Sequence, residues 1–204
     1  MLLIGVLDSP YVRRVAISLA VLGLPFEHRH VSVFRHFDAF AQLNPIVKAP
    51  TLFEDDGTML IDSTLILDHI DHKVAPACRL MPEEPGARLH ALSVIGLALA
   101  ATEKTMQEVY ERQLRPEALQ HAPWLERVQK QMHAAYGLLE ARVAGHEGWL
   151  LGDRMMQPDI TVAVAWRFTQ FMLPGAVDAA RYPALAAFSE RAEALPEFIG
   201  APLE

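Results

Sequence analysis

Pro76, Pro82, Pro85 and Gly86 are crowded between Ala75 and Ala87, and this run of helix-stopping residues divides the chain into two stretches of different periodicity. Before it, short apolar runs alternate with helical patterns. After it, apolar residues recur at three- and four-residue spacings, as in Leu125, Val128, Met132, Ala135, Leu139 and Val143, and no strand signal of comparable strength follows. The reading is a first domain over 1–77, a linker over 78–86 and an all-α second domain over 87–204. Helices are expected at about 87–115, 123–144, 158–173 and 183–195, the third closing at Pro174-Gly175 and the last at Pro196. A chain of 204 residues that is 51% apolar can bury a core in each part.

Within the first domain, residues 2–7 read as a buried strand, and Ser9-Pro10 then supplies a hydroxyl cap with proline just inside a helix. Val12, Val15, Ile17, Leu19 and Leu22 give that helix an apolar face, which Gly23 ends before Pro25. A strand at about 26–31 and a short helix around 37–43 follow. Pro50-Thr51-Leu52-Phe53 and Met59-Leu60-Ile61 flank the turn Glu54-Asp55-Asp56-Gly57, the pattern of a hairpin. Asp62-Ser63 caps a last helix running to about Val74. The expected order is βαβα followed by ββα.

Composition removes several classes of function. Acidic residues outnumber basic ones 25 to 18, and no Lys/Arg cluster is long enough to track a phosphate backbone, so nucleic acid is not expected as a partner. The first residues carry no basic lead, and their apolar run meets Asp8 too early for a secretory signal. The longest apolar-looking stretch, 91–101, is interrupted by Ser93 and Gly96 and is too short to span a membrane, so no membrane partner is expected. A single cysteine, Cys78, excludes an internal disulfide and a multi-cysteine zinc site, and suits a reducing, cytoplasmic compartment. Of the nine histidines, His28 with His30 and His69 with His72 have ligand-like spacing but no third ligand nearby, so no metal is expected.

Two helix starts and one loop can carry chemistry. Ser9 lies where a strand hands over to a helix, so its hydroxyl meets unpaired backbone N–H groups and the positive end of a helix dipole. It can cap the helix or stabilise an anion there. Asp62-Ser63 offers the same choice. A helix start with a hydroxyl suits a carboxylate and an acidic neighbour suits an ammonium, the two groups of an amino-acid head, yet capping uses the same residues. Lys48-Ala49-Pro50 precedes a strand, where a proline can stiffen the loop or, as a cis residue, leave the backbone of Ala49 for a peptide-like ligand.

Taken together, Ser-Pro-Tyr-Val-Arg-Arg-Val from Ser9, Asn-Pro-Ile-Val-Lys-Ala-Pro-Thr-Leu from Asn44 and Asp-Ser-Thr-Leu-Ile-Leu from Asp62, followed by a proline-rich linker and a helical domain, resemble the cytosolic glutathione S-transferase family of the serine type. The resemblance runs along nearly the whole chain. It implies an α/β thioredoxin-like N-terminal domain (βαβ-ββα) and an all-α helical C-terminal domain. Glutaredoxins place cysteines at the turn that Ser9 opens. Their absence here excludes thiol–disulfide exchange at this position.

By the same resemblance Ser9 is the catalytic serine that hydrogen-bonds the glutathione sulfur. Ala49 pairs its backbone with the cysteinyl unit beside a cis Pro50, and Asp62 and Ser63 take the γ-glutamyl end. Lys48 is a candidate for the glycine carboxylate, with Arg35 and His36 competing for that role. The electrophile is expected among Tyr11, Met106, Tyr110 and Trp166. The implied activity joins glutathione to a small apolar electrophile, with peroxidase or dehalogenase side activity, in a homodimer. A binding module without turnover on the same fold is the alternative. Asp159, after Trp149-Leu150-Leu151-Gly152-Asp153-Arg154, reads as architectural. Relatives place Ser or Thr three residues before it, where this chain has Met156, so a weaker cap without loss of fold is expected.

Overall fold

The computed structural model describes residues 1–203 and divides them into two compact units. The first comprises Met1–Glu83 and the returning C-terminal segment from Ala194 onward, and the second comprises Glu84–Glu193. The second domain expected at 87–204 is therefore shorter at its end.

The first unit is built from β1 (Leu2–Ile4), α1 (Pro10–Val21), β2 (Glu27–Arg29), α2 (Phe37–Leu43), β3 (Thr51–Phe53), β4 (Met59–Leu60) and α3 (Ser63–Asp71). The sheet order is β2-β1-β3-β4. β1 runs parallel to β2, pairing Leu3 with His28, and antiparallel to β3, pairing Leu3 with Leu52. A parallel neighbour requires a crossover, which α1 supplies. Leu3, Ile4, Val12, Val15, Leu19, Leu52, Ile66 and Ile70 are buried, each aliphatic side chain stabilising the fold by about 1.5–3 kcal/mol. The order expected from sequence is the order found, and this four-stranded mixed sheet with its helices is the thioredoxin-like arrangement.

Two glycines explain where the elements stop. β1 ends at Ile4 rather than near residue 7, because Gly5 takes φ +145. A Cβ at Gly5 would lie 2.5 Å from Val12 Cγ2 and 3.3 Å from Ala49 Cβ, so a side chain there would push apart the helix and the loop that meet at this point. α1 closes as expected at Gly23, with φ +65, where the Gly23 N–H donates to Ala20 O and the Leu24 N–H to Leu19 O, the paired bonds of a Schellman end.

The second unit contains α4 (Pro85–Gln113), α5 (Ala122–Val143), α6 (Gln157–Met172) and α7 (Pro183–Glu193). α4 packs on α5 and α6, and α6 on α7. All four helices begin within about two residues of their expected starts. A single bridge between Trp149 and Gly152 is the extended pairing among its described residues.

The C-terminal segment departs from the sequence reading. Pro196 does not close a helix; it opens α8 (Pro196–Ile199), the position where the missing N–H costs nothing. Arg13, buried in α1, donates from Nε to Ala201 O at 2.7 Å and from Nη2 to Phe198 O at 3.4 Å, with its guanidinium 5.7 Å from the Phe198 ring centre. These contacts join the segment to the first unit.

Candidate functional site

The start of α1 is left open. Ser9 is half-buried with φ -73 and ψ 120, the conformation of an N-cap residue, yet its hydroxyl makes no cap hydrogen bond. Its carbonyl accepts from Arg13 N–H at 2.9 Å, Pro10 has no N–H to satisfy, and the Val12 N–H has no backbone or cap partner among the described residues. A hydroxyl, an unpaired amide and the positive helix end thus converge where an anion would be stabilised.

The loop before β3 is held from inside. Asn44 is buried, and its Nδ2 donates to Thr51 Oγ1 at 2.9 Å while its Oδ1 accepts from Ile46 N–H at 3.0 Å. Thr51 Oγ1 in turn donates to Lys48 O at 2.7 Å. Between these anchors lies Ala49, half-buried, with no backbone partner for its N–H or C=O among the described residues. The Ala49–Pro50 bond is cis, as the resemblance implied, and so is Ile61–Asp62. Val47 takes φ 54, a region that β-branched residues rarely occupy, so the loop also carries local strain. The Lys48, Arg35 and His36 side chains are all exposed.

The start of α3 is closed almost completely. Asp62 Oδ1 accepts from Thr64 N–H at 3.0 Å and from Leu65 N–H at 3.4 Å, and Asp62 O accepts from Ile66 N–H at 2.9 Å. Of the first four amides of the helix, only that of Ser63 is left without a partner among the described residues. Ser63 is buried and its hydroxyl likewise makes no hydrogen bond to a described residue.

Arg14 stands in the sequence only as one residue of the motif that begins at Ser9. Its guanidinium is buried, donates from Nη2 to Thr64 Oγ1 at 3.2 Å, and keeps Nε and Nη1 without acceptors among the described residues. Burial lowers its pKa to about 10, against the pull of the nearby Asp62 and Tyr11, so it stays charged at neutral pH. The available signal was a basic residue inside the apolar run from Val12 to Leu19. Gly5, Asn44 and Thr51 were missed as well, since each acts through backbone spacing rather than a side chain that faces a ligand.

The expected electrophile residues are divided between the two units. Tyr11 is half-buried on the first turn of α1. In the second unit, Trp166 is a core residue at 4% exposure, edge-on to Tyr136 at 5.3 Å and to Tyr182 at 5.9 Å, which corrects its placement in a ligand pocket. Its indole fills the interior because α6 is buried nearly all round. Met106 is half-buried on α4. Tyr110 lines an apolar cleft of about 490 Å³ with Leu114, Leu119 and Trp124, and partial burial raises its pKa.

Asp159 is buried, accepting from Leu150 N–H at 2.8 Å through Oδ1 and from Met156 N–H at 2.7 Å through Oδ2. Burial raises its pKa against those bonds. Among the described residues, no cluster of His, Cys, Asp or Glu is placed to hold a metal ion, and no helix is long and apolar enough to cross a membrane.

A thioredoxin-like unit followed by a helical unit is the architecture of glutathione transferases. Residues 3–77 match the family description of the glutathione S-transferase N-terminal domain, and residues 122–191 that of its C-terminal domain. The GST-like protein YibF of Escherichia coli K12 is 30% identical over 172 residues, covering 84% of this chain and 83% of its own length. The chain therefore belongs to the glutathione S-transferase family. A glutathione S-transferase of Methylobacterium radiotolerans, solved with glutathione sulfonate, is similar at TM-score 0.89 and 32% identity, over 98% of this chain and 93% of that one. A glutathione transferase family member of Pseudomonas fluorescens Pf-5 with bound glutathione has TM-score 0.83 and 26% identity, covering 100% of this chain and 98% of that one.

Proposed function

We propose that the protein binds glutathione in its first unit, holds the sulfur as a thiolate at the start of α1, and transfers it to a small apolar electrophile. The observation that carries this reading is the uncapped Ser9. A serine placed at an N-cap and not used as one leaves its hydroxyl for another acceptor. The similar structures solved with glutathione sulfonate and with glutathione support the choice of ligand.

The chemistry follows from the thiol. At a pKa of about 8.5 only a few per cent of a free thiol is ionised at neutral pH, and the thiolate is the nucleophile. A hydrogen bond from Ser9 and the α1 dipole both favour the charged form, and each unit by which the pKa falls corresponds to about 1.4 kcal/mol. Ser9 stabilises charge and is neither nucleophile nor base, because an unassisted serine is a poor base. The N–H and C=O of Ala49 extend a short ladder to the cysteinyl unit. Asp62 takes the γ-glutamyl ammonium and Ser63 its carboxylate, while Lys48, Arg35 or His36 meets the glycine carboxylate at the surface. Tyr11, Met106 and Tyr110 are retained for the electrophile. Peroxidase or dehalogenase side activity would use the same thiolate, and a cytoplasmic homodimer completes the reading.

The test is a thiolate titration of bound glutathione by ultraviolet difference absorbance, in the native protein and in Ser9→Ala. The native complex should show a sulfur pKa about one to two units below that of the free thiol, and the variant should recover about one unit of it. Tight binding with an unshifted pKa would point instead to the binding module. Absence of glutathione binding would overturn the proposal.

A further inference from the structure

Arg14 is a buried cation whose hydrogen-bonding capacity is only partly used, with Asp62 as its nearby negative charge. Its residue is 2% exposed, and among the described residues only one of its three nitrogens has an acceptor, Thr64 Oγ1 at 3.2 Å. A buried cation with two unpaired donors is costly, and a fold keeps one where its charge serves another group. The group beside it is the start of α3. There Asp62 satisfies Thr64 and Leu65, and the N–H and hydroxyl of Ser63 are left over. One acidic side chain, one vacant amide and hydroxyl, and one buried positive charge therefore meet at a single helix end.

We propose that Arg14 is a specificity-determining positioning residue of the γ-glutamyl subsite: tied to Thr64, it sets a buried positive charge beneath the α3 start that selects a ligand carrying an α-carboxylate at Ser63. This rests on the reading of Asp62 and Ser63 as that subsite. Being sealed from solvent, the guanidinium does not touch the ligand. It adds its field to that of the helix end, where the screening is weaker than in water, and it fixes Thr64, the residue next to Ser63. Asp62 provides for the ammonium, so the pair recognises a zwitterionic amino-acid head rather than an amine or an acid alone.

The experiment compares two ligands by titration calorimetry: glutathione, and γ-aminobutyryl-cysteinylglycine, which keeps the ammonium and lacks the α-carboxylate. The native protein should prefer glutathione. In Arg14→Gln that preference should fall about tenfold, the scale of one charge-assisted contact, while affinity for the decarboxylated ligand changes little. Arg14→Lys, which keeps the charge, should retain most of the preference. Thr64→Val removes the single side-chain tether without touching the charge and should lower the preference in the same direction, which gives a second route if Arg14→Gln fails to fold. Equal weakening of both ligands in these variants would make Arg14 a merely structural residue and overturn the inference, as would a preference left intact. A native protein that does not distinguish the two ligands would instead overturn the subsite reading, and this inference with it.

Discussion

The starts of α1 and α3 lie in the same unit and carry the same kind of residue, a small polar side chain with the backbone of an N-cap, yet one is open and the other closed. Ser9 makes no cap hydrogen bond, whereas Asp62 accepts two. An N-cap bond is worth about 1 kcal/mol, so a serine that forgoes it leaves a definite stability unused. The contrast separates residues that hold the fold from residues kept for a ligand, and it assigns Asp62 to both groups. Two further starts carry carboxylates that face no proposed ligand, Glu84 at α4 and Asp159 at α6, while His36 at α2 and His121 at α5 stand at N-caps without a side-chain cap bond but, unlike Ser9, bring no hydroxyl.

Asp159→Ala sharpens the comparison from the structural side and carries the largest expected effect. It strands the buried N–H groups of Leu150 and Met156, each costing about 1–3 kcal/mol, so unfolding in urea should show a loss of about 3 kcal/mol. Met156 has no hydroxyl to offer the helix, so Asp159 carries this α6 end largely alone. A loss below about 1 kcal/mol would mean that water replaces the carboxylate and that a closed start is not a stability device here.

Asp62→Ala and Ser9→Ala break the comparison directly when measured side by side. The first should lower stability by about 1 kcal/mol and weaken glutathione binding, since both the cap and the ammonium partner go. The second should leave stability within about 0.5 kcal/mol of native while turnover falls, because there is no cap bond to lose. Equal destabilisation by the two variants would show that Ser9 caps α1 in solution and would remove the distinction.

Both helix starts were legible in the sequence, since Ser9-Pro10 and Asp62-Ser63 announce them, and so was the order of strands and helices in the first unit. Which start is open was not, because it depends on the rotamer and backbone of one residue. The return of the chain end to α1 was hidden for a related reason. Arg13 and Arg14 carry no sequence signal of their own beyond the motif that holds them, while in the fold they are among the buried polar residues, one binding the carbonyls of residues 198 and 201 and the other facing α3. Trp166 shows the opposite limit: helical spacing identifies an inward aromatic but does not tell a core from a pocket, and the neighbouring rings of Tyr136 and Tyr182 decide it.

The smallest expected effect concerns acid. Glu84 is exposed, and hydrogen bonds first from the Gly86 N–H and then from Ala87 hold its pKa below the ordinary 4.5. A carboxylate whose folded pKa is depressed contributes its stability above the unfolded value and loses it as pH falls through the folded one. The native protein should therefore exceed Glu84→Gln in urea midpoint at neutral pH, and the gap should shrink as the pH drops below about 4.5 and should also narrow with salt, because the group is in solvent. The open α1 start has no carboxylate to protonate, so Ser9→Ala should track the native protein over the same range. A gap between native and Glu84→Gln that persists unchanged into acid would show that the closed start works through shape and neutral hydrogen bonding, and the contrast with Ser9 would then rest on ligand binding alone.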